Sequence, residues 1–139
     1  MSMSSALIPQ HLRQEIEYWD CLSDQICQAG RAIMISKLSN DRDAQIDALP
    51  SFLPQQAKPY LTSLAKNSAQ KLSTKYMFSL DDVETYEDSL DAILHSIHSH
   101  IFSLNSSIPR PTILNTFSYA DITIAASLQM ILPLSLIHI

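Results

Sequence analysis

The sequence predicts an all-α fold, and three observations carry that prediction. Only one of its 139 residues is a glycine, Gly30. Hairpin turns and phosphate-cradling loops draw on glycine for backbone angles that other residues resist. Apolar residues also recur at steps of three and four over long runs, the spacing of one side of a helix. Finally, the turn formers Asn40, Asp41, Pro50, Pro54, Pro109 and Pro111 fall between those runs.

The first run spans residues 9 to 38. Pro9 suits a first helical turn, where its missing N–H is no loss. Leu12, Ile16, Trp19, Leu22, Ile26, Ala29 and Ile33 form the apolar stripe. A second face carries Glu17, Asp20, Asp24 and Arg31. These charges are read as a solvated surface or as the face turned to another domain, a subunit or a ligand. Residues 39 to 57 read as a connecting segment. A helix is expected to resume near Lys58, with Leu61, Leu64, Ala65, Ala69 and Leu72 as its apolar positions and Pro59 in its first turn. The next is expected to start at Ser79, capped with Asp82, and to bury Val83, Tyr86, Leu90, Ile93, Ile97 and Ile101. Acidic Asp81, Asp82, Glu84 and Glu87 crowd its start, where the helix dipole favours negative charge. Asn105 to Asn115 reads as a loop.

Composition narrows the function classes. Hydrophobic residues make up 46% and charged residues 17%, a globular balance in a length that suits one domain. A net charge of −5 with only nine Lys and Arg argues against a nucleic-acid partner. The start "MSMSSALIP" lacks the basic head and apolar stretch of a secretory signal, so a cytoplasmic location is expected. Cys21 and Cys27, six apart on one helix, face different ways and are read as free thiols in a reducing compartment.

No catalytic constellation is evident. None of the serines sits in a nucleophile-elbow motif, and neither cysteine has a histidine partner nearby in the chain. His95, His98 and His100 in "HSIHSH" suggest metal binding. Only His95 and His98 share a helix face, however, and no cysteine completes a ligand set. No metal is therefore expected.

The most specific signal lies in "TFSYADITIAASLQMILP", residues 116 to 133. Ser118 and Asp121 are spaced as a reciprocal helix cap. In that cap the Ser118 hydroxyl accepts from the Asp121 backbone N–H, and the Asp121 carboxylate accepts from the Ser118 N–H. Phe117 and Ile122 are placed to form a hydrophobic staple across the cap. The body from Ile122 to Ile131 is apolar on nearly every face, which predicts a helix buried all round. Ser127, Gln129 and Pro133, and the lack of basic flanks, argue against a membrane span.

This stretch resembles the start of the central buried helix in the C-terminal domain of glutathione S-transferases. The preceding "RPTILNT" is similar to that family's loop, with Asn115 standing where glycine is common; asparagine is the next-best residue at positive φ. "LIPQHLRQEIEYWDCLSDQI" resembles the first long helix of a bacterial-type subgroup, with Trp19 and Asp24 on matching positions. "LPSFLPQQAKPYLTSLAKNSAQKLSTKY" looks like that subgroup's helical insertion.

The resemblance covers residues 7 to 133 and implies a helical bundle of the glutathione S-transferase C-terminal type, incomplete at its C-terminal end. Residues 134 to 139 are read as a non-native or disordered tail. It implies Ser118 and Asp121 as structural residues and carries over no catalytic one. In the intact protein it implies a thioredoxin-like domain that binds glutathione as cosubstrate, a hydrophobic electrophile as substrate, and a homodimer; no nucleic acid and no membrane is involved. This chain alone would be inactive. Glu17, Asp20, Asp24 and Arg31 would face the other domain or subunit. The alternative is a stand-alone, non-catalytic helical interaction module, with a generic helical bundle as a weaker third reading.

Overall fold

The computed structural model describes residues 7–79, 82–104 and 112–131. Those residues form helices and no strand, as the scarcity of glycine predicts. The helices are α1 (Arg13–Asn40), α2 (Arg42–Asp47), α3 (Thr62–Tyr76), α4 (Val83–Ser103) and α5 (Tyr119–Ile131), with single 3₁₀ turns at Gln10–Leu12 and Lys58–Tyr60. The chain groups into two compact units. One takes the residues up to Gln28 and those from Ser89 onward; the other takes Ala29–Asp88.

In the first unit, α1 buries Ile16, Trp19 and Ile26 of the expected stripe, together with Ser23, while Leu12 and Leu22 of that stripe are half-buried. Helix α4 contributes Leu90, Ile93 and Ile97, again as expected. From α5 come Ala120, Thr123, Ile124 and Ser127, an i, i+3, i+4, i+7 stripe. The expectation of burial all round α5 is corrected here. Tyr119, Ile122, Ala125, Ala126, Gln129 and Met130 are exposed, so the described residues cover one face only.

The second unit is built on small residues. The later half of α1 buries Ala29, Ala32, Ile35, Ser36 and Ser39, and α3 buries only Ala65 and Ala69. Such short side chains let helix backbones approach closely, so little volume is available for larger substitutes. Helix α2 packs against α3 and lies in what the sequence presented as a connecting segment. It forms because Asp41 caps it, accepting from the backbone N–H groups of Asp43 at 2.8 Å and Ala44 at 3.3 Å. Gln45 is buried and donates through Nε2 to the Ser39 carbonyl at 3.0 Å.

One helix start differs from expectation, and one helix end has an unusual residue. α4 starts at Val83 and not at Ser79, with Asp82 immediately before it. α3 ends on Met77, which has φ 56° and ψ 42° in the left-handed region. The Met77 N–H bonds the Thr74 carbonyl at 3.3 Å and the Phe78 N–H bonds the Ser73 carbonyl at 3.3 Å. This is the paired C-terminal closure that glycine normally supports, here carried by methionine. The loop residues 105–111 and the expected tail, 134–139, lie outside the described residues.

Candidate functional site

The Ser118–Asp121 pair sits at the start of α5, and Asp121 holds it together. Its Oδ2 accepts from the Ser118 N–H at 2.9 Å, the half of the cap that the spacing predicts. The other half is corrected. The Ser118 hydroxyl does not accept from the Asp121 N–H; it donates to Asp121 Oδ2 at 3.3 Å. The Asp121 N–H goes instead to the Ser118 carbonyl, at 3.2 Å. Ser118 is completely buried, and a buried hydroxyl needs a partner; the carboxylate supplies it.

The second oxygen does something the sequence did not signal. Asp121 Oδ1 accepts from the backbone N–H of Ile113 at 2.8 Å, so one carboxylate ties the preceding turn to the helix start. Between them the chain reverses at Asn115, which adopts φ 59°. That is the positive φ expected of a residue standing in for glycine. The expected staple partners are both exposed, Phe117 at 60% and Ile122 at 40%, so any contact between them lies at the surface and not in the core.

A second polar tie joins α5 to α1. The Thr123 hydroxyl donates to Asp20 Oδ1 at 2.8 Å, and the Ser23 hydroxyl donates to the Thr123 carbonyl at 2.9 Å. Ser23 and Asp20 are one helical turn apart, so they grip Thr123 from the same face. A third tie uses His100 of α4. Its Nε2 lies 2.9 Å from the Ile113 carbonyl, and because a carbonyl only accepts, that nitrogen carries the proton. The same ring sits 4.8 Å from the buried Trp19 ring. Trp19, His100, Ile113 and Asp121 thus form one continuous contact path. Ser23, His100, Ile113 and Thr123 were not singled out for these roles, because each acts through tertiary contact.

The charged face of α1 divides between partners. Asp20 is committed to Thr123, and the Arg31 guanidinium lies over the Tyr76 ring at 4.5 Å. Those two residues therefore have partners within this chain. Glu17 pairs with Arg13 at 3.4 Å on an exposed surface, a contact of little energy. Asp24 is exposed.

Both cysteines are free. His95 and His98 are exposed, and the His98 ring stacks on Phe102 with centroids 6.0 Å apart. Among the described residues no three His, Cys, Asp or Glu side chains are grouped so as to hold a metal ion. An open groove of about 600 Å³ in the second unit is lined by Ile33, Lys37, Asn40, Asp41, Val83 and Glu87, among others. It gathers one cation and two carboxylates and no nucleophile–base pair. What the site can do is structural: it fixes α5 against α1 and α4 through directional bonds. Comparison of the chain with models of known protein families, with curated proteins and with solved structures finds no match.

Proposed function

We propose that this chain is the helical, C-terminal-type part of a glutathione S-transferase-like protein. In that protein it walls the hydrophobic substrate site and contributes to a homodimer interface. A thioredoxin-like domain binds glutathione and supplies the catalytic residue, and the glutathione thiolate attacks an electrophilic substrate. No residue of this chain acts in the chemistry.

The observation that carries this reading is the cap of α5. Asp121 accepts the Ser118 N–H at the position where the resemblance implies a capping pair, and Asn115 holds φ 59° where it implies a glycine-like turn. The one-sided burial of α5 fits a helix whose outer face is covered in a larger protein.

The test is a sequencing read through the source locus in both directions. A reading frame that continues upstream into a thioredoxin-like βαβ sequence supports the proposal. Its product should then conjugate glutathione to an aryl halide. A frame bounded by stop codons at both ends of this segment sinks it.

The same exposed face of α5, with Ile122 and Met130, favours a second reading. There the chain is a stand-alone helical interaction module that docks a partner through this face and has no chemistry. A frame confined to this segment would leave that reading standing.

A further inference from the structure

We propose that the segment from Ala48 to Ser79 is a peripheral docking surface for the anionic face of a lipid bilayer. The proposal is independent of the glutathione S-transferase reading. It rests on a charge distribution that the whole-chain total conceals. The chain carries −5, yet residues 48–79 hold four lysines, Lys58, Lys66, Lys71 and Lys75, and no Asp, Glu or Arg. The ion pair found among the described residues, Arg13 with Glu17, lies outside this segment. Lys66, Lys71 and Lys75 are exposed. Along α3, Leu64, Ser68, Lys71 and Lys75 recur at i, i+4, i+7 and i+11, a stripe distinct from the buried Ala65 and Ala69.

Apolar side chains in the same segment are exposed among the described residues. Phe52 is 84% and Tyr60 86% exposed, and Leu64 is exposed at the head of the lysine stripe. They are held out on structured backbone. Successive turns are closed by Leu53 N–H to the Pro50 carbonyl at 3.1 Å, Ala57 N–H to Pro54 at 2.9 Å and Tyr60 N–H to Ala57 at 3.1 Å. Three prolines, Pro50, Pro54 and Pro59, fix their own φ along this path and limit its backbone freedom.

Residue chemistry selects the occupant. Protein interfaces are enriched in arginine and depleted in lysine, and base recognition likewise favours arginine. The segment's own cations are all lysines, with Arg31 of α1 engaged on the Tyr76 ring, and such a set suits diffuse attraction to a layer of anionic headgroups. Phenylalanine and leucine match acyl chains, and tyrosine suits the headgroup boundary. Attachment is to the surface, since no helix among the described residues is long and apolar enough to cross a membrane.

The experiment is co-sedimentation of the full chain with sucrose-loaded vesicles. Phosphatidylcholine vesicles are compared with others containing about 30% phosphatidylserine, at low and at raised salt. Binding is expected only to the anionic vesicles and should fall as salt rises. The triple variant Lys66→Gln, Lys71→Gln, Lys75→Gln should partition about a hundredfold more weakly, from roughly 1 kcal/mol for each lysine. The pair Phe52→Ala, Tyr60→Ala should also weaken binding while keeping its salt dependence. All five positions are exposed, and circular dichroism checks that the variants fold. The proposal is overturned if anionic vesicles fail to sediment the wild-type chain, or if the triple lysine variant binds as well as wild type. Preferential binding of a single-stranded RNA oligonucleotide or of poly-glutamate over the vesicles would also overturn it, assigning the surface to another partner.

Discussion

Asp121 and Ile113 are joined by a 2.8 Å bond from the Ile113 backbone N–H to the carboxylate that also caps α5. One side chain therefore satisfies the main chain on both sides of the Asn115 turn. A cap alone contributes about 1 kcal/mol, and hydrogen bonds to a charged group contribute about 1.5–3 kcal/mol each. Asp121→Ala should accordingly destabilise the chain by about 2–4 kcal/mol, because it strands the Ile113 and Ser118 N–H groups and the buried Ser118 hydroxyl. Asp121→Asn keeps a single acceptor oxygen and should lose roughly half as much. Urea unfolding followed by the fluorescence of Trp19, the lone tryptophan, measures both. A loss of 1 kcal/mol or less for the alanine variant would reduce Asp121 to an ordinary cap and weaken the family reading.

The tie between Asp20 and Thr123 is testable by a double-mutant cycle. Thr123→Val removes the hydroxyl at nearly constant volume, and Asp20→Ala removes the acceptor. Since Asp20 is only half-buried, the coupling should be modest, about 1 kcal/mol. Zero coupling in denaturant titrations of the four proteins would mean the bond contributes no net stability.

Two turns sit in the left-handed region without glycine. Met77 is 92% exposed, so its side chain contributes little packing. Met77→Gly should stabilise the chain by about 0.5–1 kcal/mol, the relief of left-handed strain less the added freedom of the unfolded chain. Asn115→Gly should be close to neutral. Asn115→Val should cost about 1–2 kcal/mol or more, because a β-branched side chain clashes at φ 59°. Thermal midpoints of the three variants rank these effects directly.

The two faces of α5 predict opposite outcomes. Ile124 is buried, and Ile124→Ala should cost about 2–5 kcal/mol through lost burial and a residual cavity. Ile122 is partly exposed, and Ile122→Ala should cost less than about 1 kcal/mol. If the Ile122 variant loses as much as the Ile124 variant, the outer face is covered in solution, by a second copy or by other parts of the chain. Sedimentation of the wild type at two concentrations distinguishes these.

What could be read from sequence follows from how local each feature is. The stripe from Ile16 to Ala29 and the stripe from Leu90 to Ile97 repeat over several turns, so periodicity located both. Asn115 was legible from backbone chemistry alone, because few residues tolerate positive φ. Helix α2 was not, since six residues are too few for a period to register; only its cap, Asp41, offered a local sign. For α5 periodicity could not say which face is covered, because nearly every position is apolar. The partners of Asp20 and Arg31 needed the tertiary fold, and a shared helix face did not reveal that one meets Thr123 and the other Tyr76. Net charge misled in one respect: the average of −5 hid a lysine-only stretch inside it.

The bond from Thr123 to Asp20 spans 103 positions, and this has a consequence for synthesis on the ribosome. At about 5–20 residues per second, Asp20 and Ser23 wait on the order of 5–20 s after they are made before Thr123 is joined to the chain. Until then Ile16, Trp19 and Ile26 lack the helix that completes their surroundings. The nascent chain therefore presents the apolar stripe of its longest helix early and completes the packing of that stripe last, an interval in which chaperones near the exit tunnel have access to it.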